Sequence, residues 1–234
     1  KEYGQMVICV DSPNNWRKTV YPAYKANRKK KRDSSSDMDW PEVFRIINTI
    51  REELQQNFPY KVIQVEGAEA DDIIGSLTLQ TQEFGQHEPV MIVSSDKDFI
   101  QLQTYANVKQ YDPIRKRWLD NPDPSGYLEE HIIKGDSGDG VPNILSADNC
   151  LAIRERQKAM TQKRLALYKG TTENMDEETL RRYHRNKMMI DLTEIPQKYK
   201  DQIRSEFDKE KEVGRSQLFN FFIKNETKET IKVK

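Results

Sequence analysis

Three short apolar runs in this chain each hand over to carboxylates: Met6–Val10 to Asp11, Val62–Val65 to Glu69, Asp71 and Asp72, and Val90–Val93 to Asp96 and Asp98. Such runs, rich in β-branched residues and bounded by polar turns, read as buried strands. Helical spacing lies between them. Pro41 opens a helix with the apolar face Val43, Ile46, Ile47, Ile50 and Leu54, which stops before Pro59, and a second helix from about Ala68 turns Ile73, Ile74 and Leu77 inward. Strands alternating with helices give an α/β fold, a mainly parallel central sheet flanked by helices. In open sheets of this kind ligands bind beyond the carboxyl ends of the strands, where these acids gather. Two unit charges ~4 Å apart repel by about 4 kcal/mol at an effective dielectric near 20, so such a crowd needs cations. A chain of this pattern is expected to hold divalent metal.

The remaining elements divide the chain. Phe99, Ile100 and Leu102 suggest a short helix after Asp98, and Asn107–Tyr111 a strand before the turn at Arg115–Arg117. Beyond about Pro122 the strand signal fades, and Glu130–Ile133, Lys163–Tyr168, Glu177–Ile190, Tyr199–Phe207 and Gln217–Ile223 read as helical. This places an α/β unit over 1–122 and a helical region over 123–234, with Asn143–Ala159 showing no usable periodicity. No apolar stretch approaches the ~18 residues that span a bilayer, so a cytoplasmic protein without membrane contact is expected. Cys9 and Cys150 have no metal-type spacing and read as reduced thiols. His87, His131 and His184 lie far apart beside no other ligand pair, which argues against zinc and leaves hard oxygen ligands.

Net charge is zero, but the charge is segregated. Ser12 to Arg32 holds eight bases (Arg17, Lys18, Lys25, Arg28, Lys29, Lys30, Lys31, Arg32) and no acid, whereas Glu66 to Asp98 holds eight acids and one base, Lys97. A basic arm beside an acidic centre suits a polyanion gripped at its phosphates and attacked through bound metal.

Each motif also has a plainer reading. Asp96-Lys97-Asp98 alone is more often a turn or helix cap than a metal site. Glu69, Asp71 and Asp72 open a helix, where the dipole favours acids with or without metal. Their joint position at one sheet edge, with Asp11 ending a third strand, favours a metal cluster. The turn Lys134-Gly135-Asp136-Ser137-Gly138-Asp139-Gly140 is either a plain helix C-cap or a place where glycines let backbone N–H groups approach a phosphate while acids reach back to the metals. The segment from Trp16 to Arg32 interleaves Tyr21 and Tyr24 with cations, which is a solvated face or a stacking and phosphate-binding surface. At the C-terminus a sliding-clamp box fails from Gln217, because Asn220, Ile223 and Lys224 occupy its required positions.

In order, Val10-Asp11, Tyr24-Lys25-Ala26-Asn27-Arg28, Glu69-Ala70-Asp71-Asp72, Ser94-Ser95-Asp96-Lys97-Asp98-Phe99 and Gly135-Asp136-Ser137-Gly138-Asp139-Gly140-Val141 resemble the flap endonuclease and 5'-3' exonuclease superfamily. The finer texture, Met38-Asp39-Trp40 and Lys116-Arg117-Trp118 among it, is most similar to the ribonuclease H branch of T-even-type phages. The resemblance implies a structure-specific nuclease that uses two Mg2+ ions, with Mn2+ as substitute, to cut DNA and RNA·DNA duplexes at 5' ends or flaps and remove Okazaki primers. By the same resemblance Asp11, Glu69, Asp71, Asp72, Asp96, Asp98, Asp136 and Asp139 match the metal-binding acids, with Asp71, Asp96 and Asp139 central to catalysis. Lys25 and Arg28 match the cations at the scissile phosphate. Arg17, Tyr24 and Lys29, Lys30, Lys31 and Arg32 match an arch over a 5' single strand, and Lys134, Gly135, Gly138 and Gly140 match a helix-three-turn-helix at about 125–145 that holds the duplex. A single-stranded DNA-binding protein and a sliding clamp are the implied partners of a monomer. The family pattern also has an aspartate-bearing strand ahead of the Gln5–Val10 equivalent, and the sequence begins at Lys1 after that point. A non-catalytic DNA-binding fragment or one piece of a split nuclease is therefore the competing expectation, and a phosphatase with an Asp-x-Asp nucleophile is a third, opposed by the basic arm.

Overall fold

The computed structural model describes residues 3–26, 28, 38–210 and 215–224. Strand β1 (Val7–Val10) leads through a short helix α1 (Trp16–Val20) to the long helix α2 (Trp40–Asn57), β2 (Lys61–Gln64) and α3 (Ala70–Gln80). After β3 (Val90–Val93) a 3-10 helix (Lys97–Thr104) precedes β4 (Val108–Asp112) and β5 (Arg117–Leu119). The rest is helical: α4 (Pro124–Lys134), α5 (Gln162–Tyr168), α6 (Glu177–Ile190), α7 (Gln197–Asp208) and α8 (Arg215–Lys224). β1 pairs parallel with β2, and β3 parallel with β4, as the βαβ pattern requires. Among the described residues these remain two hydrogen-bonded sheets, the second closed by an antiparallel β5 that is too short to leave a periodic signal.

One apolar core fastens these elements. Ile63 and Val65 from β2, Ile73 from α3, Ile92 from β3, Phe99, Ile132 from α4, Met189 and Ile190 from α6, and Ile203 from α7 pack together, so residues on both sides of position 122 share it. Ile73 is fully buried, and truncating such a side chain to alanine costs about 2–5 kcal/mol. A smaller cluster of Ile133, Ile144 and Leu165 lies beneath the chain after α4.

Two expectations change. Helix α2 is placed as expected, with Asp39 accepting from the Glu42 N–H at 3.1 Å and Pro41 in its first turn, but none of its residues is buried and Ile46, Ile47 and Ile50 face outward. Its stripe has the helical period, and the helix lies against β2 and α8, but of the stripe only Val43 and Leu54 reach half-burial. Second, α4 is followed by turns through 135–160 rather than by the second helix of a helix-three-turn-helix. Asn143 organises those turns: its carboxamide donates to the Lys158 carbonyl and accepts from Leu145 N–H and Ser146 Oγ.

Candidate metal centre

Each acid reaches the centre through a local device written in the sequence around it. Glu69, Asp71 and Asp72 sit at the start of α3, where orphan N–H groups favour carboxylates. Asp96 caps the 3-10 helix, accepting from the Asp98 N–H at 3.0 Å. The Asp96 loop is held by a residue that the sequence reading passed over: fully buried Gln110 on β4 donates to the carbonyls of Ser94 (3.0 Å) and Asp96 (2.5 Å) and accepts from Gln103 (3.0 Å). Asp136 and Asp139 lie in the turn after α4. Gly135 stops that helix with φ 68°, and buried Asn186 of α6 fixes the turn by donating to the carbonyls of Ile132 and Pro142.

The acids fall into two groups. In the first, every carboxylate has a protein cation. Asp72 is fully buried, ion-paired with Arg17 at 2.8 Å, and accepts from the Trp16 indole N–H (3.1 Å) and the Glu69 N–H (2.8 Å). Glu69 pairs with Arg17 (3.2 Å) and Lys25 and accepts from the Tyr24 hydroxyl (2.9 Å). Asp139 pairs with Arg28 and Lys25 (3.4 Å) and accepts a second contact from the same hydroxyl (3.0 Å). Burial works against the Glu69 charge, yet Lys25 and Arg17 hold its pKa below the usual carboxylate range. Burial likewise opposes the Lys25 charge, and Asp139 and Glu69 more than restore it.

The second group lacks lysine or arginine partners among the described residues. Asp71 makes no hydrogen bond or ion pair there, and burial pushes its pKa up to about 7; Lys25 pulls against this while Asp96, Glu69 and Asp98 add to it. Burial also lifts Asp98 to about 6, opposed by His131 and reinforced by Asp96, Asp136 and Asp139. Asp136 is held below its ordinary range by His131 first, against its own burial. Asp96, Asp98, His131 and Asp136 line an open cleft of about 770 Å³. Hard carboxylate oxygens gathered without lysine or arginine ion pairs fit a divalent cation, and Asp71, Asp96, Asp98 and Asp136 are the residues that would hold it.

Other expected site residues have different surroundings. Asp11 is exposed, and its Oδ1 accepts from the Ala70 N–H at 2.7 Å, which caps α3 from outside. Arg17 is not a surface cation: it is 2% exposed and holds Glu69, Asp72 and the Met189 carbonyl. Tyr24 is buried, with its ring beside Arg17 and Lys25. Lys134 pairs with Glu130 at 2.6 Å. The turn glycines spend their N–H groups internally, Gly135 on His131, Gly138 on Asp136 and Gly140 on Ser137, rather than presenting them to a phosphate. Gly140 is required by shape: with φ 79°, a Cβ there would lie 2.9 Å from the Ala23 carbonyl oxygen. That close approach seats Lys25, whose own φ is 54° and whose N–H donates to the Asp139 carbonyl at 2.7 Å. Asn27 and residues 29–32 lie outside the described residues. The reading of the histidines as remote is corrected by His131, which stands between Asp98 and Asp136. Its signal was a histidine one turn before a helix-ending glycine with an acid next in line.

This arrangement defines a class: a metal-dependent 5'-3' nuclease built on a flap-endonuclease-like fold. Residues 1–130 match the family model for the 5'-3' exonuclease N-terminal resolvase-like domain, and 127–233 match that for the T4 RNase H C-terminal domain. The chain belongs to the 5'-3' exonuclease family. It is 30% identical over 233 residues to the ribonuclease H of Enterobacteria phage T4, covering 95% of this chain and 75% of that protein. Flap endonuclease Xni of Shewanella sp. strain MR-4 is 32% identical over 138 residues, covering 56% of this chain and about half (48%) of that protein. Among solved structures, the phage T5 5'-exonuclease with zinc ions bound matches in fold with a TM-score of 0.61 at 14% identity, covering 87% of this chain and 83% of that one. The T5 flap endonuclease in a pseudo-enzyme-product complex with DNA and metal ions matches with a TM-score of 0.62 at 15% identity, over the same shares.

Proposed function

We propose that this chain hydrolyses phosphodiesters at the 5' ends and flaps of DNA and RNA·DNA duplexes with two Mg2+ ions, Mn2+ substituting, in primer removal during phage DNA replication. The observation that carries this reading is the split between acids: Asp71, Asp96, Asp98 and Asp136 form no ion pair with lysine or arginine among the described residues, while Lys25 and Arg28 are engaged by Glu69 and Asp139. When bound, the cations would lower the pKa of the attacking water and stabilise the leaving 3' oxygen.

The chain's own residues do the positioning. The single hydroxyl proton of Tyr24 is shared between Glu69 and Asp139, and the hydroxyl so ties together the two carboxylates that engage Lys25 and Arg28. Arg28 is about half exposed and free to exchange Asp139 for an incoming phosphate, whereas Lys25 is held deeper. Both neutralise the charge that develops on the phosphate in the transition state. A single-stranded DNA-binding protein and a sliding clamp belong to the same replication reading, with this chain acting as a monomer.

The test is a Mg2+-dependent digest of 5'-flap and RNA·DNA substrates by the wild-type protein and Asp96→Asn, with DNA binding measured in parallel. Cleavage that vanishes in the variant while binding persists supports the assignment. Undiminished cleavage in the variant overturns it. Lys25→Ala should slow hydrolysis far more than it weakens binding, and equal losses would make Lys25 a phosphate anchor only.

A further inference from the structure

His131 has no part in the two-metal reading so far, and its position gives it one. It lies in the last turn of α4, and the reversal at Gly135 returns the chain so that Asp136 comes up beside the imidazole. Nδ1 is 3.6 Å from an Asp98 oxygen and Nε2 is 3.8 Å from an Asp136 oxygen. Both separations are too long for hydrogen bonds. One donor atom from each of the three residues lies within 4.8 Å of the others. Two donors sharing an ion at 2.0–2.2 Å stand roughly 3–3.5 Å apart, so a small closure brings the three to coordination distance. The ring is held for this: Tyr127, one turn earlier, packs edge-on against it with centroids 6.0 Å apart, and the side chain is 17% exposed at the wall of the acidic cleft.

We propose that His131 is a metal ligand alongside Asp98 and Asp136, adding one nitrogen to an otherwise all-oxygen centre and biasing it toward Mn2+, Co2+ or Zn2+ relative to Mg2+. The inference rests on the metal-dependent reading above and specifies one ligand within it. Imidazole suits the later first-row ions, while carboxylate and water suit Mg2+ as well.

The experiment is pulsed electron paramagnetic resonance on Mn2+ bound to the full chain, prepared with natural and with 15N-labelled histidine, together with calorimetric titration of Mn2+ and Mg2+ into wild type and His131→Gln. The expected result is a nitrogen modulation on Mn2+ that changes with the label and disappears in His131→Gln. Mn2+ affinity in that variant should fall roughly tenfold or more, and Mg2+ affinity should fall less. The labelled wild type answers the question even if the variant folds poorly. Bound Mn2+ with no histidine nitrogen coupling would overturn this inference alone, leaving His131 as a counter-ion to two acids. Failure of the protein to bind either ion would overturn the metal-dependent reading with it.

Discussion

The two halves of the acidic cluster are built from the same side chains and treated in opposite ways. Glu69, Asp72 and Asp139 are neutralised by Arg17, Lys25 and Arg28 and tied together by Tyr24 and Trp16. Asp71, Asp96, Asp98 and Asp136 form no lysine or arginine ion pair among the described residues, with His131 beside two of them and Lys25 acting on Asp71 only at longer range, and burial raises the pKa of Asp71 and Asp98. A carboxylate that already has a guanidinium has little to gain from Mg2+, whereas one left with like charges has much. We propose that the compensated half acts as the frame and presents cations, and that the uncompensated half is the seat.

Removing a member of the seat should have the largest effect on cleavage. Asp96→Asn is expected to lower the cleavage rate by three or more orders of magnitude, on the order of 4 kcal/mol or more of lost transition-state stabilisation, while leaving thermal stability without metal unchanged or improved, because one repelling charge is gone. Single-turnover kinetics and a melt in chelator read both sides. A variant that loses stability while keeping its rate would reverse the assignment of the two halves. Next in size is Arg17→Met in the frame. It strands Asp72 as a buried charge without its cation and leaves Glu69 to Lys25 alone, and breaking such a network costs about 3–5 kcal/mol, measurable by urea unfolding. A cost below about 1 kcal/mol would mean that solvent already compensates these acids.

The difference between the halves was only partly legible in the sequence. The strand-end acids, the helix opening at Glu69 and the 3-10 helix after Asp98 follow from period and capping rules that act over a few residues, and those elements stand where the sequence placed them. Arg17 was opaque because a cation in a run of bases looks solvated. Its burial depends on Trp16 stacking beneath it and on Met189 closing over it from the far end of the chain. His131 was opaque for a related reason, since its partner Asp98 meets it only after β4, β5 and α4 fold back. The apolar stripe of α2 misled in the other direction: period identifies a face and is silent on what covers it.

Divalent ions give a third, smaller handle on the comparison. Mg2+ or Mn2+ at 100 times its dissociation constant should stabilise the wild type by about 2.7 kcal/mol, seen as a rise in melting temperature over the protein in chelator. The rise should persist in Tyr24→Phe, which disturbs the frame, and shrink sharply in Asp71→Asn, which removes a seat. Equal shifts in the two variants would erase the distinction.

The smallest effect on cleavage, none at all, is expected from an acid that looks like the others in sequence. Asp112 ends β4 as Asp96 follows β3, and it is fully buried. Its carboxylate accepts from the Ser95 hydroxyl at 2.5 Å, from the N–H groups of Ile114 and Arg115 at 3.0 Å each, and from the Arg115 guanidinium at 3.0 Å. The Ser95 hydroxyl first, then the Arg115 N–H, hold its pKa well below the usual carboxylate range. A lowered folded-state pKa means that Asp112 contributes stability above the unfolded value near 4 and loses that contribution as pH falls toward the folded value. Asp112→Asn should therefore melt lower than wild type at neutral pH, with the gap closing as the pH drops below about 4, and should cut flap substrates at the wild-type rate. A large loss of activity in a variant that still folds would make a hydrogen-bonded strand-end acid part of the seat, and the rule that sorts these carboxylates by their existing partners would fail.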